Sequence, residues 1–151
     1  MSREEEREIR DRAAIRTLID DYFVMLDRRD YERARDIFTA DAKIAYEHGR
    51  IRIGGLEQMI AELPVIERFR FSAHGTTNQQ IHLDGDSGAS DTLATVFLML
   101  ETEGEPPKII VRGLRYRDQV VRLKEGWRIS AREHGPLWQF EALATAPSIP
   151  I

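Results

Sequence analysis

Proton chemistry near neutral pH would fall first to the four histidines, His48, His74, His82 and His134. His74 sits in the most regular stretch of the chain. Arg70, Ser72, His74, Thr76, Asn78, Gln80, His82 and Asp84 are polar at every second position, while Phe69, Phe71, Ala73, Ile81 and Leu83 are apolar between them. A period of two marks a strand. Two readings stay open for it. Either the polar face meets solvent, or it lines a polar pocket while the apolar face is buried against another subunit. In the second case His74 is placed to act as a general base. His48, His82 and His134 fall in or beside turns and strand ends.

Other chemistry is excluded by what the chain lacks. There are no cysteines, hence no disulfide framework, thiolate zinc site or thiol nucleophile. HExxH and His-x-His are absent, so no metal is expected. GxxxxGK[ST] and a strand-linked GxGxxG are absent, so no nucleotide cofactor is expected. No GxSxG elbow supports serine hydrolysis. The formal net charge of −4 supplies no basic excess for nucleic acid. At 151 residues, with 42% apolar and 32% charged residues, one soluble domain is expected. No apolar run approaches the roughly 18 residues of a membrane span. The charged opening MSREEEREIR lacks a signal-peptide core, so the expected compartment is the cytoplasm.

The elements that must position these residues follow from periodicity. Ile15, Leu18, Ile19, Tyr22, Phe23 and Leu26 make one helical stripe over Arg3 to Asp27, and Ser2 with Glu5 fits a capping box. Tyr22 is either a core aromatic or a donor. It lies about 140° around the helix from Asp27, whose bland reading is a solvated helix-end charge. A second helix is expected from Asp30, with Tyr31, Ala34 and Phe38 buried, and a third over Leu56 to Leu63. Strands are expected at Lys43 to Tyr46, Arg50 to Ile53, Arg68 to Leu83, Asp91 to Glu101, Lys108 to Leu123 and Trp127 to Glu133. Thr92 to Leu100 is almost continuously apolar and reads as a strand covered on both faces. Trp127, Ile129 and Ala131 share a face, which puts Arg132 on the other, as a surface or a pocket arginine. Residues 135–151 carry three prolines and read as a tail. Its Leu137, Trp138, Phe140, Leu143, Ile149 and Ile151 are too apolar for water, so it is expected to close a pocket mouth or pack on a sheet. Helices early and strands late make an α+β domain spanning 1–151.

Several short motifs then occur in a telling order. Tyr22-Phe-Val-Met-Leu-Asp27 is followed by Arg-Arg-Asp-Tyr and Ile37-Phe38-x-x-Asp41-Ala42. Next come Ser72-Ala-His74, Asn78, Asp84-Gly85-Asp86 and Gly113-x-x-Tyr116-x-Asp118, and last Gly126-Trp127-Arg-Ile-x-x-Arg132. This order resembles the SnoaL-like branch of the nuclear transport factor 2-like superfamily, over about residues 9 to 140. The resemblance implies a cone: a curved, antiparallel or mixed, cystatin-like sheet around three N-terminal helices and a pocket. Members such as scytalone dehydratase, hexachlorocyclohexane dehydrochlorinase and bile-acid 7α-dehydratase are lyases with an Asp–His dyad. Asp27 and His74 match that dyad, Arg132 and Tyr22 match further catalytic residues, and Tyr46 matches a substrate-binding tyrosine. Trp138 is a further substrate-binding candidate. Phe97-Leu98-Met99 stands where scytalone dehydratase has a second histidine, so that enzyme's carbonyl-polarising arrangement is not reproduced.

The expectation is a cofactor-independent dehydratase-type lyase acting on a small ring compound such as a polyketide, steroid or aromatic catabolite. A double-bond isomerase or polyketide cyclase would use the same base. A reading of another class is a non-catalytic ligand-binding or assembly module, like the small subunit of ring-hydroxylating dioxygenases. A homodimer or homotrimer is expected, because Phe69, Phe71, Ile81 and Leu83 would point outward if the polar face of their strand lined the pocket.

Overall fold

The structure, a computed structural model, describes residues 1–145. Helix α1 spans Arg3–Arg28, and its capping box is formed: Ser2 Oγ accepts from the Glu5 amide, and Glu5 accepts from the Ser2 amide. A 3-10 turn (Tyr31–Arg33) leads into α2 (Ala34–Ile37), then β1 (Phe38–Tyr46) and β2 (Ile51–Ile53). Helix α3 (Leu56–Glu62) runs into a second 3-10 segment, Leu63–Arg68. Four long strands complete the chain: β3 (Phe71–Asp84), β4 (Ser87–Leu100), β5 (Lys108–Leu123) and β6 (Gly126–Leu143). They form one open mixed sheet of six strands in the order β2-β1-β6-β5-β4-β3, with β1 parallel to β6 and every other pair antiparallel. The α+β reading holds. Among the described residues no helix is long and apolar enough to cross a membrane.

The apolar stripe of α1 is the middle of the core. Ile15, Ile19, Tyr22, Phe23 and Leu26 are buried with Phe38 and Ile44 of β1 and Trp127 and Ile129 of β6. The second helix is much shorter than expected. Phe38 opens β1 instead, because its pairing with Ile129 in the parallel ladder gives its backbone a partner that a further helical turn would forfeit. Asp30 precedes the 3-10 turn but makes no capping hydrogen bond.

Three bulges change which side chains face inward. On β3, pairing with β4 slips between Thr76 and Asn78. Ser72 and His74 face inward before the slip, and Ile81 and Leu83 pack on the core after it. Of the four residues expected to point outward, Phe69 is buried, Ile81 and Leu83 are covered, and Phe71 alone is exposed. On β6, Val120 pairs with Ile129 and Gln119 with Ala131, so Ser130 is the extra residue. A bulge shifts the alternation by one. It turns Arg132 to the same side as Ile129, into the core, and corrects the reading of Arg132 as a residue of the opposite face. Farther along β6, Leu114 pairs with Pro136 and Gly113 with Trp138, which leaves Leu137 unpaired. Residues Gly135 to Leu143 are therefore strand, not tail. Pro136 is tolerated because it falls at the bulge. Ile149 and Ile151 lie outside the described residues.

The concave side of the sheet receives the helices. The convex side carries Phe71, Phe97, Trp138 and Phe140, 45–54% exposed, in neighbouring register rows with Met99, Val111 and Ile109. The apolar run of β4 is thus covered on one face only within the chain. Trp138 lies on this side, its indole over Gly113, where an added Cβ would stand 2.2 Å from the ring.

Arg132 and Asp118 form a two-pronged ion pair at 2.7 and 2.8 Å with no solvent exposure of either side chain. The guanidinium lies 4.1 Å from the centre of the Tyr22 ring and 4.9 Å from that of Tyr116. Removing one member strands a buried charge. Asp118→Ala should therefore cost about 3–5 kcal/mol of unfolding free energy, measured by urea denaturation, with Asp91→Ala, at a half-exposed pair with Arg115, as the mild control.

Candidate functional site

The last turn of α1 and the start of β3 build the site. β3 is an edge strand, so amides on its outer side have no ladder partner. Helix α1 supplies partners from its side chains. Arg12 Nη1 donates to the Ile81 carbonyl at 2.5 Å, and Thr76 Oγ1 donates to Asp20 at 3.0 Å. At the helix end, Asp27 Oδ2 accepts the His74 backbone N–H at 2.8 Å. The other carboxylate oxygen, Oδ1, accepts Ser72 Oγ at 2.8 Å and lies 2.6 Å from His74 Nδ1. Ser72 and His74 are two residues apart on one strand, so both reach the same carboxylate.

Arg29 secures this arrangement. It ends the helix with φ of 61°, the left-handed conformation usually left to glycine. From there its Nη1 donates to Ser72 Oγ at 2.6 Å and to the Leu26 carbonyl at 2.7 Å. The order Arg29, Ser72, Asp27, His74 is a chain of donors and acceptors that leaves the Asp27 carboxylate little freedom.

Burial alone would raise the Asp27 carboxyl. Hydrogen bonds from the His74 ring, the His74 amide and Ser72 outweigh it and hold the group below the ordinary carboxylate range. Asp27 occupies the Nδ1 side of the ring, which leaves Nε2 on the side away from the carboxylate. Nε2 has no hydrogen-bond partner among the described residues. The His74 side chain is 4% exposed and stacks on Phe23 at 5.5 Å.

His74 also borders a cavity of about 460 Å³ between helix α1, the Leu63–Arg68 segment and the concave face of the sheet. The walls are mainly apolar, with Leu26, Leu63, Val96 and Leu98, and the polar groups inside are Tyr22, Tyr46, Tyr116 and His134. Burial raises all three tyrosines, and Arg132 opposes this without reversing it, so their hydroxyls stay protonated. His134 is pushed down to about 3 by burial, with Arg132 and His48 adding to the effect, and is neutral. Its ring packs on Tyr46 at 4.4 Å and on Tyr116 at 5.0 Å.

Of the residues singled out in the sequence, Asp27 and His74 are in contact, and Tyr22, Tyr46 and His74 share the cavity wall. Two do not join them. Arg132 lies behind Tyr22 and Tyr116 rather than on the wall, held there by Asp118. Trp138 is on the convex side, away from the cavity, because the Leu137 bulge sets its face. Trp138, expected to bind substrate, is not among the residues that line this cavity. Ser72, Arg29 and His134 were missed. Ser72 had a signal in its place two residues before His74, whereas Arg29 acts through a left-handed conformation that its residue type does not announce.

The family follows from comparison. Residues 7–133 match the model of the SnoaL-like domain. The chain belongs to the SnoaL-like family. Within reach of this SnoaL-like chain is the uncharacterised protein Rv2910c of Mycobacterium tuberculosis (strain H37Rv), 31% identical over 130 residues that cover 83% of this chain and 84% of that one. Among solved structures, the hexachlorocyclohexane dehydrochlorinase LinA-type3 from Novosphingobium barchaimii superposes with a TM-score of 0.77 at 21% identity, covering 95% of this chain and 97% of that one. An NTF2-like protein with a cystatin-like fold from Novosphingobium aromaticivorans gives 0.73 at 23% identity, with 88% and 86% covered. At these identities the likeness is one of fold. It is the NTF2-like, cystatin-like fold of that structure that this SnoaL-like domain shares.

The depressed Asp27 carboxyl sets a pH dependence. Its folded value lies below that of the unfolded chain, near 3.9, so its contribution is complete above that value and is lost as pH falls through the folded one. Asp27→Asn should flatten the acid limb of stability below about pH 4, measured by urea denaturation across pH.

Proposed function

We propose that this protein is a lyase of the dehydratase type, with His74 as its base. The single observation that carries this is the His74 imidazole, tethered through Nδ1 to an ionised Asp27 while Nε2 is left without a partner at a cavity wall. Nε2 takes a proton from a carbon next to an activating carbonyl. The C–H electron pair forms the new double bond as the C–O bond to a neighbouring hydroxyl breaks. Asp27 balances the imidazolium that results. The imidazolium then gives its proton to the departing oxygen, which leaves as water, and the neutral base is restored. Tyr22 and Tyr46 act as hydrogen-bond donors to the carbonyl or the leaving group. Their raised pKa values suit donation and not proton transfer. Arg132 is a positioning residue that holds the Tyr22 ring from behind.

The substrate class follows from the walls. A cavity of about 460 Å³ with mainly apolar lining suits a small ring compound. The hexachlorocyclohexane dehydrochlorinase that shares this fold supports elimination over other uses of a base. The test is incubation with a panel of ring β-hydroxyketones in deuterated water, read by mass spectrometry. Loss of water, or deuterium entering at the α-carbon, is expected from the native protein. His74→Ala should slow both by about 10²-fold or more. Equal rates with the native protein and His74→Ala would overturn the proposal.

Self-association through the convex sheet face belongs to the same reading. Phe71, Phe97, Trp138 and Phe140 form a contiguous apolar surface that a second or third copy would cover. Light scattering should return a small multiple of 17.4 kDa at micromolar concentration. Phe97→Glu with Phe140→Glu should return the single-chain mass, and a native single-chain mass would remove the argument.

A further inference from the structure

The cavity is apolar within, yet its exposed rim is charged, and two of the rim groups are arginines. Arg68, at the end of the second 3-10 segment, and Arg112, on the concave side of β5, both border the opening. Neither has a carboxylate within ion-pair distance among the described residues, although most other arginines near the sheet do, including Arg70 with Glu101 and Arg115 with Asp91. Arg112 Nε donates to Gln139 Oε1 at 2.6 Å, and its two Nη groups have no protein partner among the described residues. Arg68 lies over the Phe69 ring at 4.7 Å and makes no other polar contact there.

The two cations also feel each other. Burial lowers the Arg112 pKa first, and the charge of Arg68 lowers it further, while Glu141 partly offsets this. Glu62 is the acidic residue at the same rim. Two guanidinium groups thus border one opening, and among the described residues neither is ion-paired to a carboxylate.

Register supplies a ruler. His74 pairs with Val96, Val96 with Arg112, and Arg112 with Gln139, so these four side chains form one row across the concave face. His74 and Arg112 are two strands apart, which sets their Cα atoms about 10 Å from each other. A ring placed against Val96 and Leu98 would span that gap, with one edge at Nε2 of His74 and the other at the Arg112 fork.

We infer that Arg68 and Arg112 clamp an anionic group, a carboxylate or a phosphate, carried by the substrate at the end opposite the carbon that faces His74. The inference rests on the reading of this cavity as a substrate site. The guanidinium fork matches either anion through paired N–H donors. The favoured substrate is thus an amphiphile: an apolar ring system inside, an acid group at the rim. Neutral polyketides and steroids are disfavoured.

Calorimetric titration tests this without any turnover. The probes are 2-naphthoate, 2-naphthyl phosphate and the uncharged 2-naphthol, which share one ring system. At least one anion should bind about tenfold or more tightly than 2-naphthol, and the tighter anion identifies the head group. Arg68→Gln and Arg112→Gln should each weaken that anion by about tenfold, the scale of one lost charge-assisted contact, and leave 2-naphthol within about twofold. Arg112→Lys should recover part of the loss, since charge survives without the fork. Arg68 is exposed, so its variant reads the clamp even if Arg112→Gln fails to fold. The clamp is overturned if 2-naphthol binds as well as both anions, if neither anion binds, or if Arg68→Gln leaves anion affinity unchanged. His74→Ala separates the two proposals. Anion affinity retained in that variant, with no deuterium exchange by the native protein, would sink the base and keep the clamp.

Discussion

One carboxylate joins the two halves of this protein. Asp27 ends the long helix and accepts three hydrogen bonds from β3, one of them from a backbone amide. The constraint behind it is the open edge of the sheet. A free strand edge needs donors and acceptors from elsewhere or it recruits another chain. Here α1 covers the edge with Arg12, Asp20 and Asp27 in turn. The contact that closes the edge also orients the imidazole, so stability and site geometry share the same atoms.

Charge in the interior is handled by pairing and by aromatic faces. Arg132 and Asp118 satisfy each other with two hydrogen bonds, and Tyr22, Phe38 and Tyr116 surround the guanidinium. Among the described residues, Arg132 Nη1 nevertheless has no hydrogen-bond partner, and neither does His134 Nδ1. Such groups are costly in an apolar interior. Arg132 is sealed behind Tyr22 and Tyr116, whereas His134 packs on Tyr46 and Tyr116 at the cavity wall. The polar groups of the cavity, among them Tyr22, Tyr46, Tyr116 and His134, stand among mainly apolar walls.

The sheet separates two tasks by face. Its concave side holds the helices and the cavity, and its convex side carries aromatic residues in adjacent rows. Trp138 stands on the convex side, where Gly113 leaves room for its indole. An aromatic residue in a proline-containing C-terminal stretch is easily mistaken for a lid over a pocket. Its strand pairing with β5 decides otherwise.

Local pattern was enough for the helix stripe of α1, its capping box, the span of β5 and the α+β class, because each depends on periodicity within a few turns or residues. The order of short motifs was enough to point to the SnoaL-like family. It also singled out Asp27, His74, Tyr22 and Tyr46 as residues to examine. What the sequence could not determine is which way side chains face beyond a bulge. One extra residue at Thr77, Ser130 or Leu137 inverts the alternation for the rest of the strand, and nothing in those residue types signals it. Arg132 therefore moved from an expected pocket or surface to the core, and Trp138 from an expected pocket to the convex face. Ile81 and Leu83 moved from an outer surface to the packed side. Register across strands, set by long-range pairing, decided these placements, and the same pairing put His74 and Arg112 in one row.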